Sequence, residues 1–276
     1  MNILSIQSDV AYGHVGNGAA RFALQRLGHE VWALPTVLLS SHAGYPTVAG
    51  ESMSAELLRK LIEGLGANGW LVQCDAVLSG YLGHADQAQV VAEAVRRIKG
   101  ANAKAIYCLD PVFGDAGRAY AKPGVAEAMA RHLLPLADIV TPNAFELSSL
   151  ASVPVRGADD AREASRRLGR PIVLATSVPA GADRIGTLVA TKDEAWLATT
   201  PLLPDPPHGS GDLLAALFLA QRLAGEPLRD ALLHCARAVH HILSRGAGSS
   251  EMALIGEQDA LVAPPADVDV RIEKLR

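Results

Sequence analysis

The chain has 276 residues, of which 49% are hydrophobic and 20% are charged, a composition that excludes intrinsic disorder and collagen-like repeats. Lysine and arginine total 25 against 29 aspartates and glutamates, which gives a net charge of −4, and no basic stripe is present. We therefore expect no nucleic-acid partner. The length and the lack of a linker or internal repeat predict a single domain over residues 1–276.

The cysteines and the apolar runs bear on the cellular compartment. Cys74, Cys108 and Cys235 are odd in number, widely separated and set in apolar surroundings, as is typical of reduced, buried thiols. The N-terminus has no basic region of a signal peptide. The longest apolar run, 213–220, is much shorter than the roughly 20 residues that span a bilayer. We expect a soluble, cytoplasmic protein without membrane contact.

Short β-rich runs alternate with helical patterns along most of the chain. The predicted strands are 3–8, 31–34, 76–79, 105–109, 138–140 and 172–175. The predicted helices are 17–27, 54–65, 87–98, one around 125–134, 143–150 and 158–168. Because each connection has room for a helix, the strands are expected to pair in parallel.

The pattern changes after residue 180. Strands 185–190 and 194–198, separated by a polar turn, predict an antiparallel hairpin at the sheet edge, and helices 212 to about 223 and 227–243 follow. The fold class is therefore α/β, with a mostly parallel central sheet, helices on both faces and an antiparallel edge. Ligands of such sheets bind at the carboxyl ends of the strands, so the residues there are the candidate site.

The segment Gly209-Ser210-Gly211-Asp212 immediately precedes a long apolar helix. Two glycines and a small hydroxyl residue at a helix start let free amides converge on an oxyanion such as a phosphoryl group. An ionised Asp212 could then take a proton from a substrate hydroxyl that attacks a γ-phosphate. For the segment alone, the structural alternative is that Ser210 or Asp212 is only a helix cap.

Three further segments follow predicted strands. Asp110 and Asp115 could hold a hydrated Mg²⁺ near phosphates, although Asp110-Pro111 could equally start a turn that leads into a mobile loop. Asn143 and Glu146 have the spacing of a capping box, which does not exclude a contact of Glu146 with metal-bound water. Thr176-Ser177 could donate to a nucleotide phosphate or only satisfy loop backbone.

The glycine-rich segment 13–18 follows the first predicted strand. Its order is G-x-x-G-x-G instead of G-x-G-x-x-G, and no acidic residue follows the second strand to bind a ribose. A nicotinamide-dependent dehydrogenase is therefore not favoured.

Together these segments resemble the pyridoxal kinase family within the ribokinase-like superfamily, from residue 3 to about residue 245. The glycine-rich Gly209-to-Asp212 segment is typical of the superfamily as a whole. The other segments that carry the resemblance are Ile6-Gln7-Ser8, Tyr12 to Asn17, Pro35-Thr36-Val37, Ser41-His42, Gly44-Tyr45, Ser79 to Gly83, Asp110-Pro111-Val112 and Thr141-Pro142-Asn143 with Glu146. Of these, Gln7-Ser8 and the Ser-x-His-x-x-Tyr spacing that ends at Tyr45 are the ones that point to pyridoxal. The resemblance implies a three-layer ribokinase-like sandwich and ATP-dependent phosphorylation of the 5′-hydroxymethyl group of pyridoxal.

The resemblance also implies residue roles. Ser8 would hydrogen-bond the pyridine nitrogen, and Asp212 would be the catalytic base. The vitamer pocket would be lined by His42, Ala43, Gly44 and Tyr81. The anion hole would be formed by Gly209, Ser210 and Gly211. ATP and its cations would be bound by Asp110, Asp115, Thr141, Asn143, Glu146, Thr176 and Ser177, with Asp110 and Glu146 holding metal through water. Residues 112–122 would form a lid. Family members need Mg²⁺, often respond to K⁺ and are typically homodimers.

Two departures from the family pattern concern the substrate. Ala43 stands where the family usually has threonine, and the segment 114–122 is shorter than in many members. One lost hydrogen bond costs about 0.5–1.5 kcal/mol, which can shift vitamer preference without changing the reaction class. The alternatives are a hydroxymethylpyrimidine kinase, whose family usually has cysteine at the position of Asp212, and a vitamer carrier that transfers no phosphate.

Overall fold

The computed structural model describes residues 1–115 and 117–275. Ten of its strands form one sheet, and two form a small separate hairpin. The strands are β1 (Asn2–Val10), β2 (Glu30–Leu39), β3 (Gly50–Ser52), β4 (Ala76–Ser79), β5 (Ile106–Leu109), β6 (Gly114–Asp115), β7 (Arg118–Ala119), β8 (Ile139–Val140), β9 (Ile172–Pro179), β10 (Arg184–Ala190), β11 (Ala195–Pro201) and β12 (Arg271–Leu275).

Helices cover both faces of the sheet. They are α1 (Asn17–Arg26), α2 (Ala55–Ala67), α3 (Gln87–Ala101), α4 (Val125–Ala128), α5 (Ala144–Ala151), α6 (Ala158–Leu168), α7 (Ser210–Leu223), α8 (Leu228–Arg245) and α9 (Asp259–Val262). Buried side chains of α2, α3 and α6 form one hydrophobic core, and those of α1, α7 and α8 form a second. Successive side chains of β1 point to opposite faces of the sheet, so Leu4 and Ile6 pack in the first core and Ile3 packs in the second. The three-layer prediction is confirmed.

The strand order is β12-β11-β10-β9-β8-β5-β4-β1-β2-β3. The six strands from β9 to β2 in this order pair in parallel, as predicted. Antiparallel pairs lie at both edges, β2 with β3 on one side and β9 through β12 on the other. The predicted hairpin β10–β11 is confirmed, but the prediction that it is the edge is wrong because β12 pairs outside β11.

The structure corrects three further predictions. The helix predicted around 125–134 is α4 followed by a π turn (Met129–Leu133) and a 3₁₀ turn (Leu134–Leu136), where Pro135 cannot supply a helical amide. Thr176 and Ser177 lie within β9 and not after it. The segment predicted as a possible mobile loop contains the β6–β7 hairpin, and residue 116 of that segment lies outside the described residues.

None of the helices within the described ranges has both the length and the apolar character needed to cross a lipid bilayer.

Candidate active site

The start of α7 forms one wall of a large cavity at the carboxyl ends of the parallel strands. Gly209 is the N-cap of α7 and has φ +90°, a left-handed conformation that favours glycine. A Cβ atom on Gly209 would lie 2.0 Å from the carbonyl oxygen of His14. The helix start is therefore packed against the loop that follows β1, which we call the first glycine loop (residues 13–16).

Asp212 lies in the first turn of α7 and lines the cavity. Burial raises the pKa of its carboxyl group to about 6, and a hydrogen bond from the Gly16 amide opposes that shift. The carboxylate form therefore still predominates at pH 7. The alternative that Asp212 is only a helix cap does not describe this arrangement. The N-cap residue is Gly209, which has no side chain, and the Asp212 carboxylate accepts its hydrogen bond from Gly16, outside α7.

Gly16 connects Asp212 with Ser8. Its backbone has φ 53° and ψ −130°, and a Cβ atom at this position would lie 2.3 Å from Ser8 Oγ. Ser8 and Asp212 thus both border Gly16. Ser8 itself is partly buried at the end of β1 and is not among the residues that line the cavity.

Asp110, at the end of β5, is buried with only 4% of its surface exposed. Burial raises its pKa well above the usual range, and the negative charges of Asp212 and Glu146 raise it further. The Thr141 hydroxyl donates to Asp110 Oδ1 at 2.8 Å and partly opposes this shift. The three carboxyl groups are therefore electrostatically coupled around one part of the cavity.

Glu146 anchors the start of the predicted lid. Its Oε1 accepts hydrogen bonds from the amides of Phe113 at 2.9 Å and Gly114 at 3.3 Å. Its Oε2 accepts from the Asn143 amide at 3.0 Å, and Asn143 Oδ1 accepts from the Glu146 amide at 2.9 Å, so the predicted capping box is present. Burial raises the pKa of Glu146 to about 7 despite these bonds.

The carboxyl groups fit a magnesium ion that is bound through water. Oxygen donors are the ligands Mg²⁺ prefers, and Mg²⁺ usually keeps several of its waters. Among the described residues no three His, Cys, Asp or Glu side chains are close enough to ligate one ion together. The negative charges of Asp212 and Glu146 raise the pKa of Asp110, and a nearby cation would offset the repulsion among these carboxylates.

The far wall of the cavity is formed by β9, β10, β11 and α8. Thr176 and Ser177 lie at an irregularity in the β9–β10 pairing, where Ser177 has φ 53°. Thr176 also forms an isolated bridge with Asn143, which joins this wall to the start of α5. Apolar side chains such as Ile185, Leu203 and Val239 continue the wall.

The whole cavity has a volume of about 1050 Å³. It brings together most of the side chains that the sequence singled out. These are His42, Gly44, Asp110, Asp115, Thr141, Asn143, Glu146, Thr176, Ser177, Gly209, Ser210, Gly211 and Asp212. Ser8, Ala43 and Tyr81 are not among its lining residues. Ala43 is exposed and lies in sequence between His42 and Gly44, whereas Tyr81 is partly buried and has no cavity-lining residue beside it in sequence.

The loop after β2, which we call the substrate loop (residues 41–45), is held by interactions that the sequence did not predict. His42 is 7% exposed, and its Nδ1 accepts from the Gly44 amide at 3.1 Å. Its Nε2 lies 3.1 Å from Oε1 of Glu251. The ring of His208 packs on His42 with centroids 4.5 Å apart, and burial lowers the pKa of His208.

Sequence reasoning missed Tyr120, His208 and Glu251. Tyr120 and His208 line the cavity. Tyr120 lies within the predicted lid and His208 directly precedes Gly209, so both positions offered a signal, but the sequence analysis assigned neither side chain a role. Glu251 belongs to no local motif and follows α8 by several residues, so no sequence signal marked it.

Comparison with known proteins identifies relatives over the whole chain. The family model described as phosphomethylpyrimidine kinase matches residues 51–253. The pyridoxal kinase PdxY of Rubrobacter xylanophilus is 47% identical and covers 98% of this chain and 97% of its own. The pyridoxal kinase PdxY of Deinococcus radiodurans is 43% identical, and the match covers 95% of this chain and 93% of that protein.

Solved structures of pyridoxal kinases also match the fold of this chain. Pyridoxal kinase from Leishmania donovani in complex with ADP and pyridoxamine superposes with a TM-score of 0.93 at 33% identity, covering 100% of this chain and 99% of that one. Pyridoxal kinase from Entamoeba histolytica superposes with a TM-score of 0.92 at 27% identity, covering 99% of both chains.

Proposed function

Because the chain belongs to the pyridoxal kinase family of the ribokinase-like superfamily and is a pyridoxal kinase, we propose that Asp212 is the base for transfer of the γ-phosphoryl group of ATP to the 5′-hydroxymethyl group of pyridoxal. The observation that carries this assignment is the position of Asp212 at the first turn of α7, beside the anion hole and on the cavity wall. With a pKa of about 6 it is ionised at neutral pH and can accept the hydroxyl proton.

We assign phosphate binding to the anion hole, residues 209–211. The amides at the start of α7 are free of intrahelical partners and lie at the positive end of the helix dipole. Charge that develops on the transferred phosphoryl group would be stabilised there. The left-handed Gly209 holds these amides against the first glycine loop.

ATP is the co-substrate, and we assign its binding to Thr141, Asn143, Thr176 and Ser177 with the acidic residues Asp110, Asp115 and Glu146. Asp110 and Glu146 would hold the waters of Mg²⁺, which when bound neutralises charge on the phosphates. A response to K⁺ stays a prediction from the family resemblance.

On the substrate side, we propose that Ser8 binds the pyridine nitrogen and that residues 42–44 with Tyr81 surround the ring. The support is that Ser8 and Asp212 border the same glycine, Gly16, and that His42 and Gly44 line the cavity. In the Leishmania donovani structures, pyridoxamine or pyridoxine is bound together with ADP. We also propose that residues 1–276 form one kinase domain and that the protein is a cytoplasmic homodimer.

The test is an ATP-consumption assay with Mg²⁺ and four acceptors: pyridoxal, pyridoxine, pyridoxamine and hydroxymethylpyrimidine. We expect pyridoxal to be phosphorylated, with a kcat/KM at least about tenfold above that of the pyrimidine, a ratio of the size that a few pocket contacts provide. A preference for the pyrimidine would contradict the proposed substrate. A change in pyridoxal absorbance without ATP consumption would instead indicate a carrier.

A further inference from the structure

Glu251 joins two loops of the active site that are far apart in sequence. Its Oε2 accepts a hydrogen bond from the His14 amide at 2.8 Å, across 237 positions of the chain. Its Oε1 accepts from the Tyr45 hydroxyl at 2.9 Å and lies 3.1 Å from His42 Nε2. One carboxylate on the segment after α8 therefore holds both the first glycine loop and the substrate loop.

The hydrogen bonds of His42 determine where its proton resides. Because His42 Nδ1 accepts from the Gly44 amide, that nitrogen carries no proton in the neutral ring. His42 Nε2 must then carry the proton and donate it to Glu251. Both ring nitrogens are thus satisfied within the protein, so the imidazole has no free donor or acceptor left for a ligand.

The surroundings of Glu251 are built closely around it. A Cβ atom on Gly13 would lie 2.6 Å from Glu251 Oε1, and Gly13 has φ +106°. The Glu251 side chain is only 15% exposed. Burial and the hydrogen bond to Glu251 raise the pKa of Tyr45 to about 12, so its hydroxyl remains a donor throughout the neutral range.

The same carboxylate reaches the phosphoryl-transfer end through the backbone. The His14 carbonyl packs against Gly209 of the anion hole, and Gly16, two residues further along, donates to Asp212. Since Glu251 fixes the His14 amide, it fixes the substrate loop relative to the base and the anion hole.

We propose that Glu251 is a positioning residue for pyridoxal, which holds His42 in its Nε2–H form and fixes the substrate loop against the first glycine loop. This rests on the proposed function, because the positioned loop is the one assigned to the vitamer.

The test is Glu251→Gln. An amide has one acceptor oxygen in place of two, so its NH₂ group must face either the His14 amide or the His42 and Tyr45 donors, and one side of the link is lost. We expect kcat/KM for pyridoxal to fall about 10- to 100-fold, mainly through KM, because hydrogen bonds to a charged group are lost. The KM for ATP should stay within about twofold.

Glu257→Gln is the matched control. Glu257 lies on the same C-terminal segment and also pairs with a histidine, His241, at 2.8 Å, but it does not line the cavity. This variant removes a comparable His–Glu pair and should leave kcat/KM for pyridoxal within about twofold of the unmodified enzyme.

A double-mutant cycle distinguishes positioning from general stabilisation. In a His42→Ala background, Glu251→Gln should change kcat/KM for pyridoxal less than it does alone, because one of the two side chains through which Glu251 holds the substrate loop is gone. Equal losses for pyridoxal and ATP, additivity with His42→Ala, or an unchanged pyridoxal KM would each overturn the proposal. Failure of the unmodified enzyme to phosphorylate pyridoxal would overturn the proposed function itself.

Discussion

The two ends of the active-site cavity are constructed in different ways. The proposed phosphoryl-transfer end uses residues that follow strands or open a helix: Asp110 and Thr141 lie there because parallel strands end at the same edge, and Asp212 because α7 begins there. The substrate end depends on Glu251, a side chain 209 positions away from the His42 that it contacts. A site built from strand ends is visible in local sequence, whereas a site closed by one distant side chain is not.

The electrostatics of the two ends differ as well. At the proposed phosphoryl-transfer end, burial raises the pKa of the carboxyl groups of Asp110, Glu146 and Asp212, and the negative charges of the other two raise that of Asp110 further. At the substrate end Glu251 is surrounded by three hydrogen-bond donors. The first end therefore suits the cations and the phosphoryl group that we propose it binds, whereas the hydrogen bonds of the second end hold its shape without a ligand.

The largest expected effect is at the base. Asp212→Asn keeps the size of the side chain and an oxygen that can accept from the Gly16 amide, but it removes the proton acceptor. We expect kcat to fall roughly 10²- to 10⁴-fold while the affinity for ATP is retained. Steady-state kinetics with pyridoxal and a nucleotide-binding titration measure the two quantities, and wild-type turnover would refute the assignment.

The next largest effect is expected from a substitution of Gly209 at the start of α7, compared with one of Gly225 beyond its other end. Gly209→Ala places a Cβ atom 2.0 Å from the His14 carbonyl oxygen, so the first glycine loop must move. Because displacements of about 1 Å at a catalytic group cost on the order of 10²-fold, we expect a loss of that size in kcat/KM.

Gly225→Ala is the control for this change. Gly225, just beyond the other end of α7, also has a positive φ, +81°, but a Cβ atom there would meet nothing within 4 Å. Both variants should lose about 1–2 kcal/mol of folding free energy from the left-handed conformation. Gly209→Ala should lose more because of its contact with His14, and it alone should lose activity. Equal kinetics in the two variants would show that the contact with His14 does not matter.

A smaller effect is expected from pH. The pKa of Asp212 is raised to about 6, so its carboxylate is protonated as the pH falls through this value. Since only the carboxylate can accept the hydroxyl proton, kcat/KM for pyridoxal, which reports the ionisation of the free enzyme, should fall about tenfold per pH unit below pH 6 and become level about one unit above it. The residual rate of Asp212→Asn should lack this acidic limb, and its persistence in that variant would assign the titration to another group.

The sequence predicted the parallel half of the fold well. Strands β4 and β5 and helices α3 and α6 appear close to their predicted bounds, because their apolar periodicity and the flanking polar residues agree. Strands β3 and β12 were missed. Each is short and largely exposed, so it has no apolar alternation, and its pairing depends on a neighbouring strand already being in place.

The same distinction applies to the site. Glu146 was recognised as part of a capping box from its spacing to Asn143, yet its bonds to the amides of Phe113 and Gly114 come from a segment more than 30 positions away. Local hydrogen bonds follow from spacing, and long-range ones follow only from the packed fold.

The smallest expected effect is at Ala43, and it compares the substrate loop with the family pattern. Ala43 is exposed between His42 and Gly44, both of which line the cavity, whereas its own side chain does not. Ala43→Thr adds the hydroxyl that the family usually has at this position, and one hydrogen bond is worth about 0.5–1.5 kcal/mol, or roughly a two- to tenfold decrease in KM for pyridoxal. The KM for ATP is the internal control and should not change. If Ala43→Thr leaves the KM of all three B6 vitamers unaltered, the substrate loop directs residue 43 away from the vitamer, and affinity must come from the parts of the loop that Glu251 holds in place.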